Sequence, residues 1–129
     1  MDCSDLYVLM SRKAEEIQRL WAPAEGDVFA DELCHTSIVT LSILDHLNRS
    51  FKEGKKNNYV WLPRQDQSQE MILPMFKGNC DWMPEECYKF IQLPHPVKSQ
   101  SMEQIWLAFA MQEKFKKIWN GESWEKVEK

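Results

Sequence analysis

The stretch from Ser101 to Met111, Ser-Met-Glu-Gln-Ile-Trp-Leu-Ala-Phe-Ala-Met, constrains this chain more than any other. Ser101 followed by Gln104 is a capping box, in which the hydroxyl takes up an orphan backbone N–H of the first turn. From Ile105 to Met111 the pattern is apolar on every side, and a helix of that kind must be covered all round. A chain that carries it needs a core large enough to enclose a helix. The supply is there: 43% of residues are hydrophobic, with six Trp, six Phe and three Tyr among 129. That length suits one domain, residues 1–129, and no repeat, low-complexity segment or linker divides it. Further on the apolar positions narrow to Phe115, Ile118 and Trp119, while Lys114, Lys116 and Lys117 favour the negative end of the helix dipole. Asn120-Gly121 predicts a left-handed stop, with Trp124 folding back as an anchor before a charged tail.

A second helix is predicted at the other end. Leu6, Met10, Ala14, Ile17 and Trp21 recur at the spacing of one helix face, with Ser11, Arg12, Glu15, Glu16 and Arg19 on the remaining surface. Ser4 can cap it, and Pro23, which lacks an N–H, stops it. Between the two helices the pattern turns to strands. Thr36 to Leu44 is rich in β-branched residues that alternate, as in a strand buried on one face. Tyr59 to Leu62 reads as another strand, ended by Pro63. The two predict a hairpin around the polar Gly54-to-Asn58 turn, resting on the helices or on a third strand near Phe29. Ser42 to Phe51 reads equally as a short helix, and periodicity does not separate the two. Arg64 to Leu73 predicts a short helix ending before Pro74, Gly78-Asn79 a turn, and Asp81 the cap of a helix entering near Pro84. Leu93-Pro94-His95-Pro96 is a stiff extended link. The fold class that results is α+β, mainly helical: a small antiparallel sheet packed against an N-terminal and a C-terminal helix.

Charge narrows the function. The formal charge is −4 and the pI about 5.4, against the basic face that duplex binding needs. The one basic cluster, Arg49, Lys52, Lys55 and Lys56, surrounds Gly54 and reads as a solvated turn. Single-strand binding there would need Tyr59 and Trp61 exposed beside it. The four cysteines (Cys3, Cys34, Cys80, Cys87) follow a start with no apolar leader, and no run is long enough to span a membrane. Reduced thiols in a cytoplasm are expected.

Chemical motifs are sparse. Zinc is usually held by closely spaced ligand pairs, whereas Cys34-His35, Cys80 and Cys87 are scattered, and no metal or cofactor is expected. No local motif pairs a cysteine with a histidine as nucleophile and base. The glycines, Gly26, Gly54, Gly78 and Gly121, stand far apart, which excludes a glycine-rich phosphate cradle. The adjacent acid pairs Glu15-Glu16, Asp31-Glu32 and Glu85-Glu86 point about 100° apart on a helix and do not form acid–base couples alone. One segment stands out: an aromatic strand end runs into a polar helix start at Trp61-Leu62-Pro63-Arg64-Gln65-Asp66-Gln67-Ser68-Gln69-Glu70. Trp61, Arg64, Gln65, Gln67 and Glu70 form the candidate ligand site, suited to a planar or anionic molecule. The plainer reading is a capped surface helix whose Arg64 and Asp66 bind local backbone or each other.

The blocks YVWLPRQDQSQEMI and SMEQIWLAFAMQEKFKKIWNGESW, with the early AEEIQRLW helix, resemble the short proteins encoded by phages and prophages of low-GC Gram-positive bacteria. Many proteins of that kind carry Leu where this chain has Ser68, a departure that weakens the apolar packing expected of the short helix. The resemblance implies a bacterial host cytoplasm and supplies no catalytic residue to carry over. The expectation is a non-enzymatic accessory protein that acts through a protein partner or as a homodimer, without nucleic acid or membrane. The alternative is a small-ligand-binding protein or enzyme with its site around Trp61 to Glu70.

Overall fold

The order of elements in the computed structural model, which describes residues 1–76, 82–92 and 101–127, is ααββαβααα followed by a final hairpin. The class is α+β and mainly helical, with one antiparallel three-stranded sheet and one two-stranded sheet. The backbone clusters into two compact units, Cys3–Arg64 and Gln65–Lys129 together with Met1–Asp2.

In the Cys3–Arg64 unit, α1 (Asp5–Lys13) starts where Ser4 caps it, the hydroxyl accepting from the Tyr7 N–H at 3.2 Å. The expected single helix to Trp21 breaks at Ala14, whose ψ of 67° leaves the helical region, and α2 (Glu15–Arg19) restarts it. Ala14 is fully buried, and its N–H still bonds the carbonyls of Met10 and Ser11, so the chain bends without orphaning a donor. Met10, Ala14, Ile17 and Trp21 are nevertheless buried as the periodicity predicts, whereas Leu6 is exposed and Tyr7 takes the buried place beside it.

The sheet corrects the expected pairing. Its order is β2-β1-β3, where β1 is Val28–Ala30, β2 Thr36–Ile38 and β3 Val60–Leu62. The strand near Phe29 lies in the centre, and both presumed hairpin partners pair with it instead of with each other. Phe29 sits opposite Ser37 on one side and Trp61 on the other. β2 is short because Thr40 ends it: its hydroxyl accepts from the Ile43 N–H and caps α3 (Leu41–Lys52). The segment from Ser42 to Phe51 is therefore helix, and the β-branched run straddles a strand, a cap and a helix start. The core is aromatic. Trp21 stacks on Trp61, with centroids 6.4 Å apart and planes 5° apart, and meets Phe51 edge-on and Phe29 at a tilt. The Tyr7 hydroxyl donates to the Pro63 carbonyl, tying α1 to the end of β3.

In the other unit, α4 (Gln65–Ile72) and α6 (Met102–Phe115) pack together. A 3-10 turn, Leu73–Phe76, follows α4, and α5 (Trp82–Gln92) packs on α6 and on that turn. Trp106 through Met111 are all buried, the enclosure that an all-round apolar helix requires. Ser101 accepts from the Gln104 N–H at 3.1 Å, as the capping box predicts. The Gln104 side chain does not turn back to Ser101; it donates to Asp2 at 2.7 Å, and the Ser101 hydroxyl donates to the same carboxylate. That acid sits at the positive end of α6. The helix stops earlier than expected, at Phe115, because Lys116 takes the left-handed conformation at φ 57° and acts as the cap. Residues through Lys126 then form a hairpin, β4 (Lys117–Trp119) and β5 (Trp124–Lys126), with Trp119 opposite Trp124. The Asn120-Gly121 signal belongs to the hairpin turn, where Gly121 has φ +105° and Asn120 Oδ1 accepts from the N–H groups of Glu122 and Ser123. Trp124 is a buried anchor, as read, delivered by a strand. The Gly78-Asn79 turn, Cys80, the Asp81 cap and the Leu93-to-Pro96 link lie outside the described residues.

Candidate functional site

The Cys3–Arg64 unit carries a groove of about 540 Å³, large enough for a small organic ligand. Its walls come from four places in the chain. Arg12 lies in the last turn of α1, while Glu15, Gln18 and Arg19 line one side of α2. Lys56 and Asn57 belong to a single 3-10 turn, Lys56–Asn58, and Tyr59 and Val60 enter β3. Arg12 and Arg19 stand on either side of the break at Ala14, and both line the same depression.

Gln18 sets the floor. Its Oε1 accepts from the Trp61 N–H at 2.8 Å, and its Nε2 donates to the Trp61 carbonyl and to the Ser11 carbonyl, each at 2.9 Å. Trp61 thus presents its backbone away from β1, and one side-chain amide satisfies both polar groups as a neighbouring strand would. The edge of β3 is closed by a side chain.

Lys56 is fixed as firmly. Its ammonium donates to the Trp21 carbonyl at 3.0 Å and to the Arg19 carbonyl at 3.4 Å, at the negative end of α2, and lies 5.6 Å from the Phe51 ring centroid. Arg19 and Arg12 are exposed. Arg19 meets Glu15 at 3.8 Å in an open pair, and Arg12 reaches the Cys34 sulfur at 3.7 Å. Among the described residues two guanidinium groups and one ammonium therefore line the groove with a single carboxylate, a reversal of sign in an acidic chain.

The residues of the sequence-predicted site fall elsewhere. Trp61 is 7% exposed, with its ring against Trp21, so it offers no face to a ligand or to a stacked base. Arg64 donates to the Gly26 carbonyl at 2.9 Å and lies 3.6 Å from the buried Asp27 carboxylate. Asp27 also accepts from the Trp21 indole and the Ala24 N–H, both at 3.0 Å. Arg64 thus completes a structural network at the entry to β1. Gln65, Gln67 and Glu70 ride on α4 in the other unit, Glu70 exposed and the two glutamines half-buried. At about 100° per residue, Gln65 and Gln67 point to nearly opposite sides of that helix. The amphipathic reading of the first helix had already put Arg12, Glu15 and Arg19 on its outer surface, and the basic cluster contained Lys56. No sequence signal joins them, because the bend at Ala14 does.

The second feature of this unit is the outer edge of β2, which pairs with no strand among the described residues. Asp31 N donates to His35 O, and Val39 N to Asp27 O, so odd-numbered residues of this segment turn their backbone to β1. By alternation Thr36 and Ile38 turn their N–H and C=O outward. All three β2 residues are exposed, Ile38 by 61%, and the flanking Leu33 and Leu41 by 75% and 70%. The β1–β2 turn is held by Asp31, whose carboxylate accepts from the backbone N–H groups of His35 and Leu33. The His35 N–H bond, more than the Leu33 bond or the nearby imidazole, holds the Asp31 carboxyl below its ordinary pKa.

Cys34 and His35 lie exposed in that turn, and Cys87 is buried on α5, where desolvation pushes its thiol up to about 12. Among the described residues no group of three His, Cys, Asp or Glu is placed to hold a metal ion, and no helix is long and apolar enough to cross a membrane. No family model, curated protein or solved structure matches this chain.

Proposed function

We propose that this chain is a non-enzymatic accessory protein of a phage or prophage, acting through protein contacts as a homodimer joined at β2. The open, apolar edge of β2 carries this reading. Natural sheets blunt a free edge with lysine, proline, a bulge or a covering segment, as Gln18 covers β3. Among the described residues β2 has only its shortness, and it carries the exposed Ile38 with Leu33 and Leu41 on either side.

A second copy fits this edge by symmetry. With the two-fold axis at Ser37, Thr36 of each copy faces Ile38 of the other, and their outward groups form four backbone hydrogen bonds. Each is worth about 0.5–1.5 kcal/mol net, and covering the apolar side chains adds to them. Three-residue strands make a modest interface, so the dimer dissociates on dilution. The phage setting draws on the resemblance of the Tyr59-to-Ile72 and Ser101-to-Trp124 blocks.

Light scattering after size exclusion across a concentration series tests the dimer. The mass should rise toward twice 15.3 kDa with concentration, and Ile38→Lys should hold it at the monomer value. In a Cys3→Ser, Cys34→Ser background, Ser37→Cys should form a disulfide-linked dimer under oxidation. Paired residues at such a non-hydrogen-bonded position lie about 4.5 Å apart between Cα atoms, within disulfide reach. A monomer at every concentration with no Ser37→Cys crosslink overturns the proposal. A dimer indifferent to Ile38→Lys places the contact elsewhere and overturns the assignment to β2.

A further inference from the structure

We infer that the groove between α1, α2 and the start of β3 is a binding site for a small organic phosphate of about mononucleotide size. The inference is independent of the β2 dimer, since no groove residue belongs to that edge. Three observations carry it: the charge of the lining, the rigidity of the floor and the volume.

Arg12, Arg19 and Lys56 face one carboxylate, Glu15. A ligand with two negative charges balances that lining better than one with a single charge. A phosphate monoester carries about −1.5 to −2 at neutral pH, whereas a simple carboxylate carries −1. Guanidinium forks match phosphate oxygens in pairs, and both arginines are exposed and able to turn inward. The pair that holds Arg19 to Glu15 is 3.8 Å long and open to solvent, so exchanging it for a phosphate costs little. The ammonium of Lys56, tethered to the carbonyls of Arg19 and Trp21, supplies a fixed point charge.

The floor does not need to form on binding. Gln18 is locked by its three hydrogen bonds to Trp61 and Ser11. Tyr59 is half-buried, its ring packed edge-on against Phe29 at 5.9 Å and its hydroxyl 3.2 Å from His46 Nε2. With the floor preformed, the ordering cost of binding falls on the two exposed arginines alone. A volume of about 540 Å³ exceeds what a bare phosphate fills, and the Tyr59 ring and Asn57 amide border the remainder. Recognition runs through side-chain cations, in keeping with a sequence whose glycines are too far apart for a backbone cradle.

Isothermal titration of the full chain at low salt tests the site, with AMP, adenosine, inorganic pyrophosphate and citrate as probes. AMP should bind and adenosine should not, because the phosphate supplies the attraction. AMP should bind more tightly than pyrophosphate, because Tyr59 and Asn57 contact the organic body. Arg12→Gln combined with Arg19→Gln should weaken AMP at least about tenfold, as expected for lost charge-assisted hydrogen bonds. Both positions are exposed, and an unchanged far-UV spectrum and thermal midpoint of the double variant will show that the fold is intact. Absence of heat with both phosphate probes overturns the inference, as does AMP affinity unchanged in the double variant. Citrate binding more tightly than either phosphate overturns the assignment to phosphate, and pyrophosphate binding more tightly than AMP overturns the role given to Tyr59 and Asn57.

Discussion

Replacing Gln18 with alanine removes a side chain that stands in for a fourth strand of the sheet. Three hydrogen bonds disappear, two to the Trp61 backbone and one to the Ser11 carbonyl. Each contributes about 0.5–1.5 kcal/mol net, which gives about 3 kcal/mol as the central figure. The environment shifts that figure in both directions. Trp61 is buried, and an N–H left unpaired there costs about 1–3 kcal/mol. Gln18 itself is half-exposed, so water entering the groove recovers part of the loss. The expected destabilisation is therefore about 2–3 kcal/mol, measured by urea unfolding followed through tryptophan fluorescence. The midpoint should fall with the slope unchanged, since the surface exposed on unfolding stays nearly the same. Gln18→Glu separates the bonding account from simple loss of packing. Glutamate keeps the acceptor for the Trp61 N–H but sets a carboxylate oxygen against the carbonyls of Trp61 and Ser11. It should be at least as destabilising as alanine although it matches glutamine in size. A loss below about 1 kcal/mol for Gln18→Ala, or a Gln18→Glu variant as stable as the parent, would refute the idea that this amide closes the edge of β3.

Two further perturbations test packing in the Gln65–Lys129 unit. Ser68 on α4 is fully buried and its hydroxyl has no hydrogen-bond partner among the described residues, so Ser68→Ala should raise stability by about 1 kcal/mol in urea unfolding; a loss of similar size would mean that the hydroxyl is satisfied after all. Cys87, buried with its thiol raised from 9.0 to about 12, should resist a thiol reagent at neutral pH while the exposed Cys3 and Cys34 react, as mapped by mass spectrometry. Because the unfolded thiol ionises first, the contribution of Cys87 is present below about pH 9 and is lost between about 9 and 12.

The helices were legible because their signals are local. Ser4 and Ser101 cap where their spacing to the first turn demands, and the apolar run after Ile105 is buried on all sides. The errors arise where one residue type serves two structures. Thr40 continues a β-branched run in sequence, yet the same hydroxyl that suits a strand also caps α3, and the cap prevails once Leu47 and Ser50 have a face to bury. Strand order was illegible for a different reason. β1 is three residues long and follows a turn, so its central place rests on contacts with segments well separated in sequence. The same holds for the site. A groove assembled from Arg12, Gln18, Arg19 and Lys56 has no motif, because the backbone break at Ala14 creates it and alanine is a strong helix former that announces no break. Ala14 is fully buried, and the chain it starts buries Ile17 and brings Trp21 against Trp61, Phe29 and Phe51. Packing of those two side chains outweighs the cost of interrupting one helix, and the groove is the solvent-facing consequence of that bend. Substitutions that straighten α1 into α2 should therefore disturb the core and the groove together, whereas changes at the exposed Arg19 should reach the groove and leave the core intact.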